Sequence, residues 1–230
     1  NARAVYFGPQ ASIAADALER GDGGNIVLWS DTATRAFGTL SARGGRLSGN
    51  GGQIETSGGW LDARPARVDT LAPRGKAGNW LLDPSDIDIG DSVSDSGFDA
   101  NFSVTGAGAS ISSSAINSAL ANGNVTITTS GGTGGLGDIM VSSATLANAF
   151  SSIGTLTLNA DRNITFSNSE FGAGSSGSSG LTLRAGLGGS GSITVSNSSV
   201  DTAGRVIMAA DSVSLTGFSS VVSWGGGDAI

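Results

Sequence analysis

The chain has 230 residues, a formal charge of −7, no cysteine and no histidine. Without thiols there is no disulfide framework or thiol redox chemistry, and without imidazoles the commonest general base and transition-metal ligand are missing. Gly is frequent (38 residues) but Pro is rare (4), which argues against a proline-rich linker, and 38% hydrophobic residues suffice to fill a narrow core.

Along the chain, SIAADA (12–17), TLSARG (39–44) and RVDTLA (67–72) place Ile13, Leu40 and Val68 at intervals of 27 and 28 residues. Each is followed by a small-residue turn and a second run: GGNIVLWS from Gly23, GGQIETSG from Gly51, AGNWLLDP from Ala77. Ile26, Ile54 and Trp80 are then 28 and 26 residues apart. Alternation in NIVLWSD turns Leu28 and Trp29 to opposite sides, and the position of Trp80 in the repeat predicts a core residue. Residues 84–110 are polar and Asp-rich and read as a longer excursion. ISSSAINSALANG (111–123) reads as a short helical insertion packed on the side of the structure. Ile111, Ala115, Ile116, Ala119 and Leu120 recur at helical spacing, a Ser cluster supplies the N-cap, and Gly123 is the expected C′ residue.

Beyond this insertion, three stretches begin at Leu156 (LTLNADRNITFSNSEF), Leu181 (LTLRAGLGGSGSITVSNSSV) and Val206 (VIMAADSVSLTGFSSV), 25 residues apart. Each holds two alternating runs around a small-residue turn. Period-two alternation marks half-buried strands, and a fixed repeat too short to bury its own face marks a solenoid. The expected fold is therefore all-β, a parallel β-helix with one repeat per coil. At one coil per roughly 26 residues it would have about eight or nine coils, and at about 4.8 Å per strand a length of roughly 40 Å. One continuous solenoid domain is expected, with N-terminal coils over 1–83, the Asp-rich excursion and helix over 84–124, and C-terminal coils over 125–230. Inward positions are Ile13, Leu40, Ile54, Leu156, Leu158, Leu181, Leu183, Val206 and Met208.

No run of 18 apolar residues exists, so no membrane span is expected. Residues 1–90 carry a net −1 and residues 91–230 a net −6. Such a surface disfavours nucleic acid, whose backbone demands Lys and Arg clusters. Low charge, absent cysteine and abundant small polar residues fit a secreted protein of the bacterial surface. The chain opens without a signal peptide and closes on a Gly-rich segment without a polar cap, so a piece of something longer is expected.

The stretch from Gly23 to Pro84 combines W-S-D, G-T-L-S-A-R-G-G, G-G-x-I-E-T-S-G and G-x-W-L-L-D-P. With SSSAINSALANGNVTITTS, it resembles the filamentous-haemagglutinin-like large exoproteins of Gram-negative two-partner secretion. The resemblance covers most of residues 8–215. It implies a right-handed parallel β-helix, export through an outer-membrane partner transporter, and a role in adhesion or biofilm at the cell surface. The Asn-Pro-Asn-Gly secretion signature of that family is missing here, so this segment is not expected to carry the secretion signal.

Candidate sites follow from residue chemistry. Asp83, Asp86, Asp88 and Asp91, continued by Asp95 and Asp99, form the densest carboxylate group. Oxygen ligands of this kind suit Ca²⁺, and paired carboxylates suit glycoside hydrolysis. Alternation of Asp86 and Asp88 with Ile87 and Ile89 favours a solvated strand face, and no EF-hand or RTX-type loop is present. No cofactor is otherwise implied. SGGTGGLGD (130–138) lacks the G-K-[ST] ending of a phosphate loop and reads as a turn. Trp29 and Trp60 are candidate glycan contacts, since exposed indoles stack on sugar rings; Trp224 is a further aromatic of interest, and core or corner packing is the plainer reading of each Trp. Arg64, Arg67, Arg74 and Lys76 are expected to be neutralised beside Asp62, Asp69 and Asp83.

Three function classes remain. The first is a structural and adhesive stalk segment attaching to host cells, other bacteria or biofilm matrix through surface glycans or proteins. The second is a polysaccharide-degrading β-helix enzyme, disfavoured because Arg nearly vanishes after residue 90 and acids do not recur at the repeat period. The third is a subunit of an extracellular filament, self-associating end to end. The first is the expectation, without enzymatic activity.

Overall fold

A computed structural model describes residues 2–91, 109–130, 135–146, 154–172 and 180–223. The architecture is a solenoid-like stack in which every strand pairing among these residues is parallel. Fourteen strands form one sheet, four a second and three a third. The large sheet makes two walls because its long strands, Asn25–Ala36 and Gln53–Asp62, run along both. They turn where the register shifts between Ser30 and Ala33, opposite the Gly58–Gly59 pair.

The first wall continues from those strands through Asn79–Asp83, Asn124–Thr128, Leu156–Asn159, Leu181–Arg184 and Val206–Ala209. Alternation sets its two sides: odd members of NWLLD and NVTIT, and Thr157 and Asn159 of LTLN, face out, and their neighbours are buried. Ile26, Ile54, Trp80, Val125, Leu156, Leu181 and Val206 therefore stack in one inward column, each the register partner of the next. Trp80 is fully buried and its indole Nε1–H donates to Thr56 Oγ1 at 3.0 Å, which satisfies both polar atoms inside the core.

The second wall runs from Ala4–Phe7 through the far halves of the long strands. It continues with Ala109–Ser112, Ile87–Gly90, Ile139–Ser142, Ile164–Ser167, Ser192–Ser196 and Ser212–Thr216. Two consecutive strands of the chain thus stack in reverse order of depth: Ala109–Ser112 sits between Gln53–Asp62 and Ile87–Gly90. The expected excursion over 84–110 is in part wall, since Ile87, Ile89 and Ala109 are core residues. Its residues 92–108 lie outside the described ones.

The third wall opens with Ser12–Ala14, Thr39–Ser41 and Arg67–Asp69 and resumes with Thr145–Leu146, Glu170–Phe171, Ser199–Thr202 and Ser220–Ser223. Between the two sets lies the helix, which spans Ser113–Leu120 and packs against both Arg67–Asp69 and Thr145–Leu146. It is part of the wall rather than a side decoration: Ile116 and Leu120 are fully buried. Ser112 caps it, accepting from Ala115 N–H at 3.2 Å, while Ile111 belongs to the preceding strand. Gly123 is not the left-handed C′ residue; the helix ends at Leu120 with Ala121 as C-cap. Gly123 is required instead because a Cβ there would overlap Thr70 Oγ1.

The core is one cluster from Phe7 to Val206. Leu40, Ile54, Leu156, Leu158, Leu181, Leu183 and Val206 are buried as expected, and Met208 is partly buried against them. Ile13 departs from expectation at 36% exposure. It does pair with Leu40, but its strand lies at the edge of the three-stranded sheet, with no strand on its other side.

Replacing Leu183 with Asp is expected to destabilise the fold by more than about 4 kcal/mol, since an unpaired charge would be buried. Replacing its outward neighbour Thr182 with Asp should change stability by less than about 0.5 kcal/mol. Urea titrations of both variants check the register, and equal effects would refute it.

Candidate functional site

The outward side of the first wall carries the most suggestive set of side chains. Trp29 is 40% exposed there and Val27 60%. Trp29 is in register with Ser57, and Ser57 with Asp83, so the three form one row across adjacent strands. Glu55 stands two residues before Ser57 on the same side, diagonal to Asp83. Asn159 lies further along the row: its partner Thr128 follows Ile127, the partner of Leu82.

Three polar atoms in this row, Ser57 Oγ, Asp83 Oδ1 and Asn159 Oδ1, are buried without a hydrogen bond among the described residues. Burial, and secondarily the Glu55 charge, pushes the Asp83 carboxyl above its ordinary 3.8. The exposed indole is the part of this row that can meet a saccharide, its ring on sugar C–H groups, while the three unsatisfied oxygens are buried along the row.

The remaining predicted residues do not join this row. Trp60, the other candidate glycan contact, is only 3% exposed. It stands opposite the core residue Leu61 on its strand, yet is enclosed, so its ring cannot stack on a ligand. Asp86 is committed to the backbone. Its Oδ1 accepts from the N–H groups of Leu136, Gly137 and Asp138 at 2.9, 2.7 and 2.8 Å, fixing the end of the glycine-rich run, of which residues 131–134 lie outside the described ones. Asp88 faces outward from Ile87–Gly90, and partial desolvation followed by the Asp86 charge raises its pKa. Asp91 accepts from the Ser113 hydroxyl at the start of the helix.

Asp83 belongs to the first wall and Asp88 to the second, which separates their carboxylates. Among the described residues, no group of three or more His, Cys, Asp or Glu is placed to hold a metal ion. The candidate calcium ligands Asp83, Asp86, Asp88 and Asp91 are thus not gathered into one cluster; Asp95, Asp99 and Trp224 lie outside the described residues. Of the basic group, Arg64 is held by Asp62 with Nε and Nη2 contacts at 2.8 and 2.7 Å. Asp69 pairs with Arg43, a partner the linear cluster did not suggest.

Sequence reasoning missed Glu55, Ser57 and Asn159 as companions of Trp29. The signal was there: positions 29, 57 and 83 are 28 and 26 apart, the interval that aligned the inward Ile26, Ile54 and Trp80. No protein-family model matches the chain, and no curated protein matches it.

Asp83 and Asp138 have opposite linkage. Asp83 binds its proton more tightly folded than unfolded, so its charge costs stability at neutral pH, and the cost fades as pH falls to 3.8. Asp138 is held below 3.8, chiefly by the hydrogen bond from Arg162, so its contribution is present above 3.8 and lost as pH falls through the lowered folded value. Asp83→Asn should therefore raise the melting temperature near neutral pH and lose that advantage below 3.8. Asp138→Asn should do the reverse, lowering it at neutral pH and converging with the parent in acid. Thermal melts across this range decide both.

Proposed function

We propose that this chain is a structural and adhesive stalk segment of a secreted, filamentous-haemagglutinin-like exoprotein of the Gram-negative cell surface. In this reading the parent protein leaves through an outer-membrane partner transporter, and the stack is a right-handed parallel β-helix of about eight or nine coils. The observation that carries the reading is the registered outward row of the first wall, where Trp29 stands exposed beside Ser57 and Asp83. Parallel stacking repeats a side-chain position at each strand spacing of about 4.8 Å, so a flat, ordered surface is presented to extended partners such as surface glycans. No helix among the described residues is long and apolar enough to cross a membrane.

A printed array of host and bacterial glycans, probed with and without Ca²⁺, tests this. Reproducible binding to one glycan family, weakened by Trp29→Ala, is expected. Silence under both conditions would reduce the segment to a spacer.

A second reading, polysaccharide hydrolysis, is favoured by one observation: Asp83, with its raised pKa, lies diagonal to Glu55 on the same outward side. Two carboxyl groups on neighbouring strands, one of them with a raised proton affinity, are the components that general acid–base cleavage needs. It requires release of reducing ends from a polysaccharide panel, reduced about a hundredfold or more by Asp83→Asn.

A further inference from the structure

A second surface, away from the Trp29 row, has the form of a ligand groove. At the corner between the second and third walls, a cleft of about 450 Å³ runs along the stack, within the range of small-molecule sites. Its turns are built alike on successive levels. Ser142, Ser167, Ser196 and Thr216 are register partners, and the next residues, Ser143, Asn168, Asn197 and Gly217, all take left-handed φ values, 48°, 49°, 45° and 66°.

Beneath them runs a ladder of hydroxyls. Ala144 N–H donates to Ser169 Oγ at 3.2 Å, Ser169 N–H to Ser198 Oγ at 2.9 Å and Ser198 N–H to Ser219 Oγ at 3.3 Å. This ladder holds the floor rigid before any ligand arrives, which lowers the ordering cost of binding. Glu170 lines the groove from the third wall; its backbone N–H donates to Ala144 O at 2.8 Å, and its carboxylate makes no hydrogen bond among the described residues.

One residue breaks the pattern. Between Ser196 and Ser199 the turn holds Asn197 and Ser198; between their partners Thr216 and Ser220 it holds Gly217, Phe218 and Ser219. Gly217 takes the left-handed place and Ser219 the ladder place, so Phe218 is the added residue. It contributes nothing to the core, being 99% exposed, and its side chain borders the groove. An aromatic ring inserted at the rim of a cleft otherwise lined by hydroxyl, amide and carboxyl groups gives it one apolar platform beside hydrogen-bonding partners.

We propose that this corner groove binds an uncharged oligosaccharide lying along the stack, with the Phe218 ring as its stacking platform. The levels repeat at about 4.8 Å, close to the advance of one pyranose unit in an extended chain, so each sugar meets one turn. Among the described residues that border the cleft, Glu170 alone is charged, which disfavours anionic glycans. This proposal rests on the adhesive reading above and adds a second contact surface to the Trp29 row.

The test is titration calorimetry of the chain with neutral trisaccharides (β-glucan, xylan, chitin and galactan fragments), alongside an array that includes charged glycans. Variants are Phe218→Ala, Phe218→Trp, Glu170→Gln and, as a control, Leu187→Ala, at an exposed residue outside the groove. Binding of one trisaccharide is expected, weakened about tenfold by Phe218→Ala and retained by Phe218→Trp. Melting temperatures should be unchanged, since Phe218 packs on nothing. Equal affinity in Phe218→Ala, or binding only to charged glycans, overturns this groove while leaving an adhesive segment intact. Loss of that binding in Trp29→Ala alone moves the contact to the first wall. No binding to any glycan overturns both readings.

Discussion

One column of side chains governs this molecule. Ile26, Ile54, Trp80, Val125, Leu156, Leu181 and Val206 lie one above another, each the register partner of the next. A strand slipped by one residue would turn its apolar set to solvent and its polar set into the core. Each of these side chains contributes about 1.5–3 kcal/mol when buried, so the penalty for a slip is large on every strand. The register of the outward side is fixed as a by-product, and Trp29, Ser57 and Asp83 align because Ile26, Ile54 and Trp80 do.

The same constraint explains where small residues are obligatory. At the corner entering the first wall, a Cβ on Gly52 would overlap Gly24 O, and one on Gly78 would overlap Gly52 O. Backbone there stacks directly on backbone. On the opposite corner the walls meet through left-handed turns, which Asn tolerates better than most residues. The glycine-rich composition, which in isolation resembles disorder, is thus in part the signature of close vertical stacking.

Much of this was legible in the sequence, because repeat period and alternation report which side of a strand a residue takes. Leu40, Leu156, Leu183 and Trp80 could be assigned to the core from spacing alone. What alternation does not report is what lies over the outward side. Trp60 is on the outer side of its strand and is nevertheless enclosed, and the Asp83–Asp91 carboxylates, close in sequence, are distributed over two walls and a helix start. Nor does spacing reveal stacking out of chain order. That Ala109–Ser112 enters beneath Ile87–Gly90 depends on which open sheet edge a returning segment meets, a tertiary choice with no local code. The helix boundary shifted for a related reason: Ile111 fits either period, and its strand neighbours decided.

At that same level the three walls are built to different heights. Between Gln53–Asp62 and the strands beyond residue 124, the first wall holds one strand, Asn79–Asp83, where the second holds two. The third wall holds a helix, and a helix about 10 Å across fills about the space of two strands at 4.8 Å each. The second and third walls therefore stand taller than the first at this level by roughly one strand spacing. A column with unequal sides leans toward its short side, as a wedge set between bricks tilts the courses above it. A bend toward the first wall at the level of the helix is the consequence expected for the levels that follow it.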